Sequence, residues 1–171
     1  MSVILGIDPG THVAGFGVIQ TDQLGALEHR DHGVILMNRR DSFADRLHLF
    51  YEQLEELFKV HQPDVVVVED IFVGKNIQSA FRLGHLRGLC LQLAAKYQCQ
   101  VVEYAAKKVK KVVTGHGGAE KDHVRLVVLN LLGIRSQHLN DATDALALSI
   151  CHVRQRTSER LLQNQLGKEL L

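Results

Sequence analysis

The chain has 171 residues, 46% of them hydrophobic and 23% charged, with 14 Gly, 2 Pro and 3 Cys, a composition that suits one globular domain and excludes a disordered, collagenous or disulfide-stapled chain. No apolar run approaches the roughly 20 residues that span a bilayer, and the first residues lack the basic start and long apolar stretch of a secretory leader, so a cytoplasmic protein with reduced Cys90, Cys99 and Cys151 is expected. The net charge of +1 hides an asymmetry: residues 1–72 hold 5 basic and 12 acidic side chains, residues 73–171 hold 15 and 7, and the segment 75–125 holds 10 and 3, which suits a polyanionic partner if folding gathers the cations on one face.

Residues 3–8 form a short apolar run closed by Asp8 and Pro9-Gly10, the pattern of a buried strand ending in a turn. Further β-type runs cover 13–20 and roughly 33–37, with Gly25 as a hairpin breaker between them, so an antiparallel meander is expected. From Asp41 to about Val60 the period changes to 3.6, with Phe43, Leu47, Phe50, Leu54, Leu57 and Phe58 on one face and Asp41 or Ser42 as the cap. Pro63 ends that helix. Val65 to Val68 then read as a central parallel strand buried on both faces. A long helix is expected over 76–97, a short strand over 100–104, and helices near 105–114, 119–132 and 141–155, with Gly117-Gly118 separating the first two of these. No repeat, low-complexity tract or interdomain linker interrupts the order.

The result is a mixed sheet flanked by helices. A strand returning after a helical crossover should lie parallel to the first and beside it, which puts ligands beyond the carboxyl ends of both. Asp8 closes the first strand, and Glu69 closes the fourth. An Asp before Pro-Gly is often a turn former, but a carboxylate after four buried valines must be paired, protonated or metal-bound. Asp70 points to the opposite pleat, so only one of Glu69 and Asp70 can face Asp8, and Glu69 is chosen unless a bulge intervenes. Asp141 and Asp144 follow Asn140, which is expected to cap the last helix, and share one helix face. The small residues Ala142, Ala145 and Ala147 let that helix lie close to the sheet. Four carboxylates gathered there need cations. Hard oxygen ligands select Mg²⁺, with Mn²⁺ as the alternative, and the set suits two-metal chemistry in which one ion activates water and the other stabilises the leaving oxygen.

These same residues carry a family resemblance. Gly6-Ile7-Asp8-Pro9-Gly10, Glu69-Asp70-Ile71-Phe72, Lys75-Asn76, Leu83-Gly84-His85, Arg87-Gly88, Glu103-Tyr104-Ala105-Ala106, Val109-Lys110, Gly115-His116-Gly117-Gly118-Ala119-Glu120-Lys121 and Asp141-Ala142-Thr143-Asp144-Ala145 occur in the order and spacing of the RuvC Holliday junction resolvases. The chain resembles that family over about residues 1–155. The resemblance implies an α/β, RNase H-like fold with a mixed five-stranded sheet in the order 3-2-1-4-5, a nuclease domain over 1–155 and a polar tail over 156–171. It implies a homodimer that nicks four-way DNA junctions symmetrically in recombination and repair, leaves ligatable 5′-phosphate ends, and works with the RuvA–RuvB branch-migration complex at the bacterial nucleoid.

By motif, the resemblance makes Asp8, Glu69, Asp141 and Asp144 the catalytic carboxylates, holding Mg²⁺ (or Mn²⁺), with two ions per site expected. Phe72 becomes a side chain that stacks on a base opened at the crossover. Lys110 and Lys121 match basic DNA-contacting positions, and Lys75, Lys107, Lys108 and Lys111 enlarge the patch. In the long helix, Leu83, Leu86, Cys90, Leu93 and Tyr97 step as a packing seam, while Ala80, Gly84 and Gly88 form a row of small residues. Ala80, Leu83, Gly84, Arg87 and Gly88 are therefore the expected dimer contacts. Asp70, Leu86 and His123 depart from the family pattern without touching the four carboxylates, and His152 could approach the site or cap its helix.

Three other readings compete. A sugar-kinase-like phosphotransferase shares Gly6-Ile7-Asp8-Pro9-Gly10-Thr11 but needs two such domains. A non-catalytic junction-binding module would keep the lysines without the carboxylates. An RNase H-like RNA nuclease of the YqgF type shares the fold, and the Phe72 and Lys110/Lys121 motifs weigh against it.

Overall fold

The computed structural model describes residues 1–70, 76–135 and 140–169. Ser2–Asp8 (β1), Val13–Thr21 (β2) and Leu27–Leu36 (β3) form the antiparallel meander, and Gly25, at φ +87°, provides the left-handed turn between β2 and β3. Phe43–His61 (α1) crosses over to Val65–Glu69 (β4), which pairs parallel with β1; Ile77–Lys96 (α2) then leads to Gln100–Tyr104 (β5), parallel to β4. The sheet order is β3-β2-β1-β4-β5. Ala106–Thr114 (α3), Lys121–Leu132 (α4) and Asn140–Glu169 (α5) follow.

The pleat divides the core in two. Ile4, Ile19, Val65 and Val67 pack with Val124, Val128, Leu146 and Ile150 on the α5 face. Leu5, Val18, Val66 and Val68 pack with Phe50, Leu54, Phe58, Leu86 and Leu93 on the other. Helix α1 starts where the Ser42 hydroxyl accepts from the Asp45 amide at 3.2 Å and ends at left-handed Gln62, just before Pro63.

Several boundaries differ from expectation. Strand β3 begins at Leu27 rather than near 33, because its first half is the edge-strand run His29-Arg30-Asp31-His32, whose charge hides the alternation. Helix α3 ends on left-handed Gly115 (φ +83°), ahead of Gly117-Gly118. Helix α5 is described from Asn140 onward, so the expected capping by Asn140 lies outside the described residues, and the helix continues through 156 to Glu169.

Candidate active site

Asp8 and Glu69 reach the same place by parity. Ile7 is in register with Val68, one residue before each carboxylate. On β1, Ile4 and Gly6 face α5, so Asp8 does too; on β4, Val65 and Val67 face α5, and Glu69 follows them. No bulge precedes Glu69 on β4; Asp70, exposed just past the strand, donates its amide to the Tyr104 carbonyl at 3.0 Å and lines the same groove as Asp8 and Glu69, outside the Asp8 cluster.

Helix α5 brings the other two carboxylates by lying almost on the strands. A Cβ added to Gly15 would stand 2.0 Å from the Asp141 carbonyl oxygen, and one on Gly6 would stand 2.1 Å from that of Ala145. One on Gly17 would stand 2.7 Å from the Leu146 amide nitrogen. Only bare glycine backbone permits this approach. Ala142 and Ala145, both fully buried, supply the matching small side chains on the helix. The sequence reading found the helix alanines and missed the strand glycines, whose signal was the spacing of Gly15 and Gly17 by two within an apolar run.

Carboxylate oxygens of Asp8, Asp141 and Asp144 lie within 4.8 Å of one another, and Asp8 is hydrogen-bonded to Glu69. Burial, then the charges of Glu69, Asp144 and Asp141, push the Asp8 carboxyl from 3.8 up to about 7. Burial also raises Glu69; its hydrogen bond with Asp8 opposes that rise, Asp144 adds to it, and Lys121 and Lys110 counter it. Lys121 Nζ donates to Asp144 Oδ2 at 3.1 Å, and that bond holds the ammonium pKa above its ordinary value. Near neutral pH, then, the cluster relieves its repulsion with a shared proton and a lysine. A divalent cation would do the same more effectively, and an all-oxygen donor set fits Mg²⁺ or Mn²⁺.

Around the carboxylates runs a groove of 540 Å³ with Asp8 and Glu69 on its floor, Leu83 of α2 on one side and Lys107 of α3 on the other. Lys110 and Lys121 line a smaller adjoining recess with Asp144. Lys108 lies over the Tyr104 ring, its Nζ 4.9 Å from the centroid, and Lys111 is exposed on α3. Phe72 and Lys75 fall outside the described residues. Of the expected dimer contacts, Gly84 and Gly88 are exposed and face open space, with Ala80 half-buried one turn before them. Leu83 turns into the groove, and Arg87 pairs with Glu103. Leu86, Cys90 and Leu93 form the buried seam of α2. His152 neither approaches the carboxylates nor caps the helix: it is buried, with Nδ1 3.1 Å from the Tyr104 hydroxyl.

Comparison with known proteins adds a lineage to this geometry. The family described as crossover junction endodeoxyribonuclease RuvC matches residues 4–152. A crossover junction endodeoxyribonuclease RuvC of Bdellovibrio bacteriovorus is 41% identical over 161 residues, covering 94% of this chain and 95% of that protein. Thermus thermophilus RuvC, solved in complex with a Holliday junction substrate, superposes with a TM-score of 0.86 at 26% identity, over 93% of this chain and 97% of that one. The yeast mitochondrial Holliday junction resolvase shares the fold, with a TM-score of 0.70 at 14% identity, over 98% and 84% of the two chains.

Proposed function

This chain belongs to the RuvC family of crossover junction endodeoxyribonucleases, and we propose that it resolves Holliday junctions in DNA recombination and repair by hydrolysing phosphodiesters in two opposing strands. The observation that carries the reading is the carboxylate cluster at the floor of a lysine-flanked groove. Neither the RNA-nuclease reading nor the non-catalytic module is favoured by the relatives or by an acidic site of this kind.

Asp8, Glu69, Asp141 and Asp144 are the catalytic set that would hold Mg²⁺, two ions per site, with Mn²⁺ able to substitute. When bound, the ions supply Lewis acidity that activates a water and stabilises the leaving 3′ oxygen, so the product keeps a 5′-phosphate. The chain's own part is positional. Asp8 and Glu69 hold a proton between them and release it as cations arrive, while Gly6, Gly15 and Gly17 fix the distance of Asp141 and Asp144 from the strands. Lys110 and Lys121 offset phosphate charge at the site, and Lys75, Lys107, Lys108 and Lys111 extend that field along the backbone. We assign Phe72 to stacking at the crossover.

A symmetric cut needs two related sites, and α2 offers the surface for a homodimer. Gly84 and Gly88 leave room for a second backbone, and Ile77 and Phe81 beside them are 60% and 67% exposed. Ala80 belongs to that surface, and Leu83 and Arg87 flank it, the one reaching into the groove and the other pairing with Glu103. From the family we take RuvA–RuvB as partners, a place at the bacterial nucleoid in the cytoplasm, and 1–155 as the nuclease domain with 156–171 as its tail. Among the described residues, no helix is long and apolar enough to cross a membrane.

The test is incubation with a mobile four-way junction, matched duplex and RNA–DNA hybrid, in Mg²⁺, Mn²⁺ or EDTA, beside Asp8→Asn. Paired metal-dependent nicks in opposite junction strands, absent in the variant, are expected. Cleavage confined to the hybrid, or junction binding without nicks in either metal, would overturn the reading.

A further inference from the structure

The N-terminal half, acidic as a whole, contains one cationic cluster that the charge count concealed. Arg46, on α1, is only 7% exposed, and its guanidinium donates to the Thr11 carbonyl at 2.7 Å and meets His12 Nδ1 at 2.9 Å. Its Nε is buried without a partner. Arg46 and Arg82 both lie over the Phe43 ring, 5.5 and 5.8 Å from its centroid, and His85 meets the same ring edge-on at 5.7 Å. His12 feels the charges of Arg46, Arg39 and Arg82 together, and these, after burial, hold its imidazole pKa below the ordinary value.

The Met37 amide donates to the His12 carbonyl at 2.8 Å, which brings the Arg39 segment against the same turn, so four cationic or protonatable groups crowd one loop. None of Arg39, Arg46 and Arg82 has a carboxylate partner among the described residues. The nearest acids in sequence are engaged locally: Asp41 accepts from Asn38, and Asp45 accepts from Ser42. Uncompensated like charges beside an aromatic ring call for an anion just as clustered carboxylates call for a cation.

The position says which anion. His12 ends the turn that follows Asp8, and Pro9 of that turn lines the catalytic groove; Arg82 precedes Leu83, which lines the groove from α2. The lysines of α3 stand on the other side. We infer that His12, Arg39, Arg46 and Arg82 form a second phosphate-contact site for junction DNA, on the α2 side of the groove across from Lys107 and Lys110. In this arrangement the strand being cut is held on both sides of the carboxylates. Arg46 locks the loop through Thr11 and His12, while exposed Arg39 and Arg82 reach the backbone. This inference rests on the junction-nuclease reading.

The experiment uses the full chain and a four-way junction in EDTA, with binding measured across a salt series for wild type, Arg39→Gln, Arg82→Gln and the double variant. Arg39→Lys and Arg82→Lys retain the charge, and Arg30→Gln, toward the opposite end of the sheet, removes one elsewhere. Each Gln variant is expected to lower the slope of log affinity against log salt by about 1, the double by about 2, with the Lys variants near wild type and Arg30→Gln unchanged. Thermal melts and sedimentation should show an intact dimer throughout. Unchanged slopes overturn the inference, as does an equal loss in Arg30→Gln, which would reflect net charge alone. A Gln variant that loses the dimer but keeps its slope also overturns it, since the arginines would then face a protein carboxylate. If wild type fails to nick junctions in Mg²⁺, the junction-nuclease reading falls; if it nicks them and the slopes do not move, only this second site does.

Discussion

Replacing Asp8 with Asn should abolish nicking and yet stabilise the metal-free protein. A carboxyl that titrates at about 7 in the fold and at 3.8 in the unfolded chain keeps its proton in the folded state over an interval where the unfolded state has lost it. Stability therefore falls as pH rises from about 4 to about 7, at about 1.4 kcal/mol per pH unit, reaching about 4 kcal/mol in the limit of a fully isolated titration. Asn is neutral at every pH and escapes that loss. At pH 5, where the unfolded carboxyl has ionised while folded Asp8 keeps its proton, the variant should already be ahead by about 1–2 kcal/mol in urea denaturation with EDTA present. At pH 8 the variant should be more stable, by up to about 4 kcal/mol, or roughly 2–4 °C in Tm for each kcal/mol at this chain length. Saturating Mg²⁺ should close or reverse the gap, because wild type gains binding energy that the variant cannot. A variant no more stable than wild type at pH 8, relative to their difference at pH 5, would refute the electrostatic account of the site.

Gly15→Ala places a methyl 2.0 Å from the Asp141 carbonyl, so it should cost about 1–3 kcal/mol or more by urea denaturation and erase the Mg²⁺-induced rise in Tm, because α5 must move off the sheet. Lys121→Gln removes the ammonium bonded to Asp144; calorimetry should find tighter Mg²⁺ binding to the free protein, while junction binding weakens and its salt slope drops by about 1. Tyr104→Phe strips the partner from buried His152 Nδ1, whose Nε2 already lacks one, and should cost about 1–3 kcal/mol of stability. Gly84→Ala fills open space on α2, so the single chain should gain about 1 kcal/mol from helix propensity, whereas sedimentation should show a dimer weakened tenfold or more.

What could be read without coordinates was whatever rests on local periodicity and chemistry. The valine run gave a central strand, and the period of α1 named Phe50, Leu54 and Phe58 as core. Strand parity allowed only one of Glu69 and Asp70 to face Asp8, because consecutive residues must face opposite sides, and the family resemblance settled it as Glu69. The edge strand β3 was half lost, since its outer residues are polar and the alternation disappears where solvent replaces packing. The extension of α5 past 155 was missed for a similar reason: a polar exposed helix has no apolar face to betray it. The Arg39–Arg46–Arg82 cluster escaped the charge count because Arg39 and Arg46 lie among the twelve acids of residues 1–72 while Arg82 lies beyond them, and the three meet only around His12.

By itself, then, the sequence determined the elements, the order of the sheet through its crossover logic and motifs, and the identities of four carboxylates at strand and helix ends, because these follow from short-range sterics and residue chemistry. Tertiary structure alone decided how near those carboxylates come. The approach of α5 to Gly6, Gly15 and Gly17 spans more than a hundred residues of chain, and it is this contact that brings Asp8, Asp141 and Asp144 within 4.8 Å. Proximity and burial then turn ordinary acids into a cluster that holds a proton near neutrality, because the repulsion between charges depends on their separation and their access to water, and neither is written in the spacing of residues along the chain.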